Sequence, residues 1–450
     1  MPLHLLPGIY FSNLALLFYN IFLFFYKAAI GLASLWNPKA KLWISGRKNI
    51  FEQLHSQLTT HNSQSDSHRV TTHHSPLTWV HCSSLGEFEQ GRPVIEKIKV
   101  QYPDSKLLLT FFSPSGYEIR KGYNGADWVF YLPLDSKANA KRFFDIVNPS
   151  LVVFVKYDYW YYYLAECKKR NIPLLMISAI FRKEQAFFKW FGGLQRRMLT
   201  LFSHFFVQDT ESLELLNSIN IKNVTIAGDT RFDRVAEIAG NFTPINEIES
   251  FCKNSTVLVA GSTWPEDEKI IKEAINDLPN IKIIIAPHEI HQQHIEQLKN
   301  LFPDSILYSQ LTIHNSPLTT HHSPSQIPNC LIIDNIGMLS RLYHYATITY
   351  IGGGFGKGIH NTLEAAVYGK PVVFGPNYQK FREARELIKS GGGFSINNAG
   401  ELADLLKALN ADKSKLEAIN KKSYEFVHLN KGATEKIIRY IEEKRLLTSW

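Results

Sequence analysis

The sequence is poor in cysteine, and its few cysteines form no recognisable pattern. The 450 residues include 4 cysteines, Cys82, Cys167, Cys252 and Cys330, which lie far apart in the chain. That spacing fits neither a metal site nor the disulfide framework of a small secreted domain. We therefore expect free thiols, as in a protein of a reducing compartment.

The sequence also lacks a recognisable nucleic-acid-binding module. The chain nevertheless has a net charge of +8 and a pI near 9.0, which suggests an anionic partner. Its basic residues are spread along the sequence, so an acidic membrane surface or a phosphorylated substrate fits better than nucleic acid. With 45% hydrophobic and 20% charged residues the chain is globular, and its length allows two domains.

Charge is absent from one long stretch near the N-terminus. The eighteen residues Ile9–Tyr26 are rich in Leu, Phe, Ile and Tyr, and the apolar run resumes after Lys27 as far as Trp36. This length meets the lower limit for a membrane-spanning helix. A cleaved signal peptide is one alternative, although no Lys or Arg precedes the run, and a helix lying in one leaflet is another. Because basic residues follow the run, we predict a hydrophobic anchor with a basic flank over residues 1–50 and the rest of the chain in the cytosol.

Two polar segments interrupt the sequence pattern. Residues 59–78 and 312–326 share the hexapeptide TTHHSP, at Thr71–Pro76 and Thr319–Pro324, and together hold seven of the 17 histidines. A metal-binding tract is one interpretation. Disorder is the other, because such Ser/Thr/Pro-rich runs cannot bury enough apolar surface to fold. We predict a low-complexity linker over residues 51–78 and a disordered insert at 312–326.

Elsewhere, strand-like and helix-like segments alternate, which is typical of parallel sheets with helices on both faces. The pattern predicts an α/β protein with two Rossmann-like domains facing a cleft, at residues 79–240 and 241–430, followed by a C-terminal helix at 431–450. A linker is expected near Glu237–Asn254, and ligands are expected at the carboxyl ends of the strands. The predicted strands are Trp79–Cys82, Lys106–Phe111, Leu151–Val155, Leu174–Ser178, His204–Gln208, Val224–Ala227, Thr256–Gly261, Ile281–Ala286, Cys330–Ile333, Ile348–Gly352 and Pro371–Phe374.

The glycine-rich stretch Tyr350–Pro376, YIGGGFGKGIHNTLEAAVYGKPVVFGP, is the most informative segment. It predicts a buried strand, a glycine turn, a helix from about Asn361 to Tyr368 and a second short strand. Glycines let the backbone come close to a ligand, and the free N–H groups at the start of the helix would favour a phosphate. Glu364 could accept hydrogen bonds from a ribose. A glycine turn without a ligand is the alternative, although the second loop at Gly375–Pro376 favours the ligand site.

Further motifs occur in order from about Trp79 to about Ile396. They are SLGE at Ser84–Glu87, SPSG at Ser113–Gly116, LPLD at Leu132–Asp135, GDTRFD at Gly228–Asp233 and GIHNTLEA at Gly358–Ala365. At this spacing they resemble the 3-deoxy-D-manno-octulosonic acid (Kdo) transferases of lipid A assembly, a family of GT-B glycosyltransferases. Several ordered motifs are more specific than any one of them.

The resemblance implies a GT-B enzyme without a cofactor, which transfers Kdo from CMP-Kdo to a lipid A precursor (lipid IVA) at the cytoplasmic face of the inner membrane. It makes Glu87 the general base that activates the acceptor hydroxyl, whereas stabilising the start of the following helix is the alternative role. Arg231 replaces the family's Lys and would hold the departing phosphate. Lys156 stands where the family has Glu, so Lys156 would contact an anion, or Asp158 would supply the nearby carboxylate.

The resemblance also implies an inverting displacement, and no Asp-x-Asp motif follows a predicted strand to suggest a metal-dependent reaction. Glu266–Glu268 are expected to stabilise a helix start capped by Thr263. A transferase that uses a UDP-sugar, or an inactive membrane-tethered binding protein, remains an alternative. His288 stands where the family usually has Arg. The expected nucleotide-binding residues are Pro287, His288, Ile336, Gly337, Met338, Asn361, Thr362, Leu363 and Glu364.

Overall fold

The chain folds into two compact units. The first comprises Met1–Asp233 and Gly432–Trp450, and the second comprises Arg234–Lys431. Most of the first TTHHSP copy, all of the second and nearly all of the predicted insert at 312–326 lie outside the described residues. The residues that this computed structural model describes are 7–65, 75–276, 278, 280–313 and 328–447.

In the described part of the first unit, seven parallel strands form one sheet. They are β1 (Leu77–Cys82), β2 (Lys106–Phe111), β3 (Trp128–Tyr131), β4 (Leu151–Val155), β5 (Leu174–Ala179), β6 (His204–Val207) and β7 (Val224–Ile226). Their order across the sheet is β3-β2-β1-β4-β5-β6-β7. All five residues of β4, LVVFV, are buried, as expected of a parallel strand that is covered on both faces. The order reverses between β1 and β4, and such switch points are where ligands bind in these sheets.

Helices cover both faces of this sheet. Trp79, Phe143 and Phe154 belong to the apolar layer on one face, and Phe88 and Ile95 belong to the layer on the other. The helices in this part of the chain are α1 (Pro7–Ala33), α2 (Pro38–Ser45), α3 (Ile50–Ser65), α4 (Leu85–Gln101), α5 (Pro114–Arg120), α6 (Lys137–Val147), α7 (Tyr161–Lys169), α8 (Gly193–Leu199), α9 (Thr210–Ser218) and α10 (Thr230–Gly240).

The described residues of the second unit also form a sheet of seven parallel strands. They are β8 (Thr256–Thr263), β9 (Ile281–Pro287), β10 (Ser305–Leu307), β11 (Cys330–Ile332), β12 (Ile348–Ile351), β13 (Val372–Phe374) and β14 (Gly393–Ser395). The order is β10-β11-β9-β8-β12-β13-β14, so the switch point lies between β8 and β12. The prediction of an α/β protein with two Rossmann-like domains is confirmed.

The helices of the second unit connect its strands, and one last helix returns to the first unit. Ile437, Ile438 and Ile441 of that helix pack in the same apolar layer as Phe88. The carboxylate of Asp233 accepts hydrogen bonds from the first amides of the returning segment. These helices are α11 (Asn246–Cys252), α12 (Pro265–Ile275), α13 (Gln292–Leu301), α14 (Tyr308–Ile313), α15 (Leu339–Leu342), α16 (Leu363–Ala366), α17 (Arg382–Ser390), α18 (Ala399–Ala411), α19 (Lys413–Asn430) and α20 (Ala433–Glu443).

Helix α1 has one face docked on the first unit and one face exposed. On the docked face, the hydroxyl of Tyr19 donates to the buried carboxyl group of Asp135 at 2.6 Å, and Leu23 is 5% exposed. On the other face Phe18 and Phe22 are exposed. Leu14–Ala33 has a mean hydropathy of 1.7 over 20 residues and is long and apolar enough to cross a membrane by those two measures.

The structure differs from the sequence prediction in two connections. The linker predicted at 51–78 is helical as far as Ser65, because Ile50, Leu54 and Leu58 recur at helical spacing and are buried in the core. The linker predicted near Glu237–Asn254 contains the end of α10 and all of α11, whose Ile248 and Phe251 are buried. In both segments tertiary burial outweighs the polar composition of the sequence.

Candidate active site

Glu87 lies at the carboxyl end of β1, in the first turn of α4. Its carboxylate accepts a hydrogen bond from the backbone N–H of Ser84 at 3.0 Å, which satisfies one of the free amides at the start of this helix. The side chain is only half-buried. The helix-stabilising role and the predicted catalytic role are therefore compatible, since one carboxylate oxygen suffices for the cap.

A second carboxyl group lies beside Glu87, at the end of β4. Asp158 is 7% exposed, and it accepts the hydroxyl hydrogen of Ser83 at 2.5 and 2.6 Å. Nε2 of the fully buried His81 lies 2.9 Å from Asp158, although the ring is not aligned for a hydrogen bond. The sequence pattern points to Asp158 but not to Ser83 or His81, although both of these lie at the carboxyl end of β1, next to the β1/β4 switch point.

This environment changes the acidity of Glu87. Burial, and then the neighbouring charge of Asp158, raise the pKa of Glu87 to about 7, while the amides of Ser84 and Ser83 and the charge of Lys156 act in the opposite direction. A carboxylate with a pKa near the working pH is well suited to take up a proton and release it again. The arrangement can therefore act as a general base.

Lys156 follows β4 in a left-handed conformation, with φ of +67°. Its ammonium group lies 5.2 Å from the ring centre of Tyr157, and its charge lowers the pKa of both Glu87 and Asp229. The structure thus brings the predicted Lys156 to the same end of the sheet as Glu87. A positive charge here favours the ionised form of the base.

Arg231 reaches the same end of the sheet from the start of α10. Its guanidinium group donates to Asp229 at 2.7 and 3.0 Å, and Gln90 donates to the other oxygen of Asp229 at 3.2 Å. Burial would raise the pKa of Asp229, but Arg231 outweighs this effect and lowers it. The guanidinium group of Arg231, the predicted cation, is therefore held in place by the buried carboxylate of Asp229, which the sequence pattern does not indicate.

Thr230 ties the elements of this site together. Its hydroxyl donates to the carbonyl of Gln90 at 2.5 Å and lies 2.9 Å from the hydroxyl of Ser178 at the end of β5. These contacts join α4, β5 and α10. The predicted Glu87, Lys156 and Arg231 thus lie at the carboxyl ends of β1, β4 and β7, on one edge of the sheet.

In the second unit, the glycine loop follows β12 at the β8/β12 switch point. A Cβ atom at Gly352 would lie 2.2 Å from the carbonyl oxygen of Ser262, and one at Gly354 would lie 2.5 Å from the amide of Gly375. These two glycines are therefore required by backbone packing within the protein. Gly353 has φ of +88°, and its N–H donates to Asp267 at 2.8 Å.

Asp267 is the centre of a hydrogen-bond network beneath this loop. It is fully buried and also accepts from the N–H of Trp264 at 2.9 Å and the hydroxyl of Tyr350 at 2.8 Å. The predicted cap is thus wrong by one residue: Trp264 and Asp267 form it, and Thr263 donates instead to Glu268 at 2.9 Å. As predicted, the first turn of α12 is acidic and stabilises its own helix start.

Three aromatic rings lie beside the loop. His288 stacks on Trp264 at a centroid distance of 4.7 Å and on His360 at 4.4 Å. The indole N–H of Trp264 donates to Nε2 of His360 at 3.3 Å. Burial, and then the nearby His288, lower the pKa of His360 to about 4, so this ring is neutral at physiological pH. His288 is exposed and directly follows the end of β9.

The helix predicted from about Asn361 to Tyr368 is shorter in the structure, where α16 comprises the four residues Leu363–Ala366. Asn361 donates its side-chain amide to Glu364 at 2.9 Å and accepts from the N–H of Leu363 at 3.1 Å. Thr362 is fully buried, and its hydroxyl has no hydrogen-bond partner among the residues that the structure describes. Leu363 is fully buried as well. Asn361 and Glu364 are thus the two of these four side chains that reach the protein surface.

The remaining predicted nucleotide contacts lie at the ends of neighbouring strands. Pro287 is buried at the end of β9, and the loop after β11 carries Ile336, Gly337 and Met338. Ile336 is 86% exposed, whereas Met338 is 6% exposed. In the part of the chain that the structure describes, no group of three or more His, Cys, Asp and Glu side chains is arranged to hold a metal ion.

Comparison with known proteins shows which families and folds this chain resembles. Residues 52–234 match the model of a family described as 3-deoxy-D-manno-octulosonic-acid transferase (kdotransferase). The chain is 27% identical over 379 residues to a 3-deoxy-D-manno-octulosonic acid transferase from Rickettsia felis, covering 81% of this chain and 78% of that protein. It is 25% identical over 355 residues to one from Aquifex aeolicus, covering 76% of this chain and 88% of that protein.

A solved structure shows the same fold. UDP-GlcNAc 2-epimerase from Neisseria meningitidis bound to UDP-GlcNAc superposes with a TM-score of 0.56 and 16% identity, covering 82% of this chain and 100% of that chain. At this level of identity the likeness concerns the arrangement of strands and helices alone.

Proposed function

We propose that this chain, a relative of the 3-deoxy-D-manno-octulosonic acid transferases with a GT-B fold, transfers Kdo from CMP-Kdo to a lipid A precursor in lipopolysaccharide biosynthesis. The observation that carries the proposal is the carboxyl group of Glu87, which lies at the β1/β4 switch point inside the segment that matches the family. Its pKa of about 7 suits a general base at neutral pH. The expected acceptor is lipid IVA, an acylated and phosphorylated disaccharide.

The proposed reaction is an inverting displacement. Glu87 accepts the proton of the acceptor hydroxyl while the hydroxyl oxygen forms a bond to the anomeric carbon of Kdo. The bond between that carbon and the phosphate oxygen breaks, and its electron pair leaves with CMP. Lys156 and Arg231 would stabilise the negative charge that develops on the phosphate. This scheme uses no metal ion and no cofactor.

In this scheme the second unit binds the nucleotide. Asn361 lies in the loop after β12 and Glu364 lies in the first turn of α16, where it would accept hydrogen bonds from the ribose. The stacked rings of Trp264, His288 and His360 lie at the neighbouring strand ends and offer ring edges and N–H groups to a nucleotide. Because His360 is neutral at physiological pH, any hydrogen bond it makes to a phosphate would be that of a neutral donor.

We further propose that the enzyme works at the cytoplasmic face of the inner membrane. The apolar helix α1 and the net charge of +8 support this location, since the acceptor is an anionic lipid. The basic residues that follow α1 favour a cytosolic position for the rest of the chain.

The decisive experiment combines purified full-length protein, freshly generated CMP-Kdo and lipid IVA, with products identified by mass spectrometry. A product heavier than lipid IVA by one or more Kdo residues is expected. Thermal-shift titration with CMP, UDP and GDP tests the donor separately, and CMP should stabilise the protein most. Stabilisation by UDP alone, together with no Kdo product, would identify a UDP-sugar enzyme instead.

A further inference from the structure

Two adjacent aromatic side chains of the first unit point into solvent. Trp190 is 91% exposed and Phe191 is 60% exposed, with their rings 5.6 Å apart and nearly perpendicular. We call this pair, Trp190 and Phe191, the aromatic knuckle. It lies in the turn directly before α8. Exposing two neighbouring large aromatic rings is unfavourable in water, so such a pair calls for an explanation.

The turn that carries the knuckle is held in one conformation. The guanidinium group of Arg196 donates to the carbonyl oxygens of Phe187 at 3.1 Å, Lys189 at 2.7 Å and Trp190 at 3.5 Å. A Cβ atom at Gly192 would lie 1.7 Å from the carbonyl oxygen of Ala186, so the turn closes tightly on itself. The exposed rings are thus presented by an ordered support.

The knuckle directly precedes α8, a helix that contacts the docked helix α1. Helix α8 packs against α1, and the ring of Tyr161 joins the two elements. The Tyr161 ring meets Tyr19 of α1 edge-on at 6.3 Å, and the guanidinium group of Arg197 in α8 lies 5.9 Å from the centre of the same ring. The exposed aromatic side chains of α1 and those of the knuckle therefore belong to neighbouring elements of one unit.

Basic residues flank the knuckle in the sequence. Residues 182–197 contain five Lys or Arg and a single acidic residue, Glu184. Arg182, Lys183 and Arg197 among them are exposed. Aromatic rings at the headgroup level and cations beside anionic phosphates are the two contacts that a membrane surface offers to a protein.

We propose that the aromatic knuckle inserts into the interfacial layer of an anionic phospholipid bilayer, with α1 lying in the plane of the same leaflet. The in-plane orientation follows from the docked face of α1, because a crossing helix would have to break the bond between Tyr19 and Asp135 and uncover Leu23. This proposal rests on the membrane location proposed above and adds a second contact site to it.

The test is vesicle binding by the full chain in the absence of any acceptor lipid. Binding to phosphatidylcholine vesicles with and without phosphatidylglycerol is compared for the wild type and the double variant Trp190→Ser/Phe191→Ser. The double variant should lose roughly tenfold to hundredfold affinity for the anionic vesicles. A matched control is Leu429→Ser in the second unit, where the exposed Leu429 is replaced, and its affinity should be unchanged.

A second readout locates the ring itself. Trp190→Phe keeps an apolar ring and should bind nearly as well as the wild type, but the quenching of tryptophan emission by brominated lipids should decrease by the contribution of Trp190. Equal affinity of the double variant and the wild type, or unchanged quenching in Trp190→Phe, overturns the proposal. The double variant should still bind CMP and act on detergent-dispersed lipid IVA. If the wild type itself neither binds CMP nor acts on detergent-dispersed lipid IVA, the proposed function is contradicted, and not the membrane contact of the knuckle.

Discussion

The two units place an acidic residue at the same position, with opposite outcomes. Glu87 and Asp267 each occupy the third position of the helix that follows the first strand of their sheet, and each accepts from the N–H of the residue before that helix, at 3.0 and 2.9 Å. Glu87 is half-buried with a pKa of about 7. Asp267 is fully buried and accepts two further hydrogen bonds, from Tyr350 and Gly353.

The difference distinguishes a carboxylate with a structural role from one that is available for proton transfer at a switch point. All three donors around Asp267 come from the protein, so its hydrogen-bonding capacity serves the loop after β12. Glu87 has its cap bond and a neighbouring carboxylate, Asp158, which makes its ionised form less favourable. The same local sequence position therefore supports stability in one unit and is available for proton transfer in the other.

The largest expected effect is on catalysis in the first unit. Glu87→Gln keeps an oxygen that can accept from Ser84 but removes the basicity. Turnover should fall by roughly two to four orders of magnitude, while CMP affinity and melting temperature change little. Initial rates with CMP-Kdo and lipid IVA measure the change, with the exposed Glu184→Gln as control. Near-wild-type turnover of Glu87→Gln would remove Glu87 from the mechanism.

The equivalent change in the second unit should act on stability instead. Asp267→Ala leaves the N–H groups of Trp264 and Gly353 and the hydroxyl of Tyr350 without their acceptor. A buried donor left unsatisfied costs about 1–3 kcal/mol, so we expect the free energy of unfolding to fall by about 2–5 kcal/mol. Urea denaturation followed by circular dichroism measures it. Glu266→Ala, which alters a neighbouring acidic residue of the same helix, should lower the stability far less.

The sequence predicts the longer strands better than the contacts that distinguish Glu87 from Asp267. Lys106–Phe111 and Leu151–Val155 were predicted with their observed bounds, because continuous apolar runs mark buried parallel strands. The strands β3, β10 and β14 are not among the predicted ones, although β7, β11 and β13, which are equally short, are.

The packing of the glycine loop could not be predicted from the local sequence either, because it depends on residues distant in the chain. The glycine-rich pattern indicates close approach of the backbone to a ligand, but a Cβ atom at Gly352 or Gly354 would meet the backbone of Ser262 or Gly375. Likewise, Asp267 receives hydrogen bonds from residues more than eighty positions later in the chain. The predicted nucleotide contacts themselves stay a prediction.

The next effect tests whether the loop after β12 also binds a ligand. In the structure Glu364 accepts from Asn361 at 2.9 Å, so Glu364→Ala removes both that bond and the expected ribose acceptor. Loss of a charged hydrogen-bond partner costs about 1.5–3 kcal/mol. CMP binding should therefore weaken by roughly ten- to a hundredfold, at about 1.4 kcal/mol per decade. Isothermal titration calorimetry measures the affinity.

Glu364→Gln separates the two roles of this side chain. Glutamine can still accept from Asn361, so the loop conformation is kept while the negative charge is lost. CMP affinity between that of the wild type and that of Glu364→Ala would identify the charge as part of ribose binding. Unchanged affinity in folded Glu364→Ala protein would leave the loop as a packed turn only, like the Asp267 network beneath it.

The smallest effect is a pH dependence that belongs to the first unit alone. Glu87 must be deprotonated to accept a proton, and its pKa is raised to about 7, mainly by burial and then by Asp158. The ratio kcat/KM should therefore be constant well above pH 7 and fall by about tenfold for each pH unit below it.

Asp158→Asn keeps an acceptor for Ser83 but removes the neighbouring negative charge, so the pKa of Glu87 should decrease and the acidic limb should move to lower pH. Profiles of kcat/KM for lipid IVA against pH measure the shift in both proteins. CMP-Kdo is kept saturating so that nucleotide binding does not contribute. An acidic limb that stays in place in Asp158→Asn would mean that burial, and not the charge of Asp158, raises the pKa of Glu87.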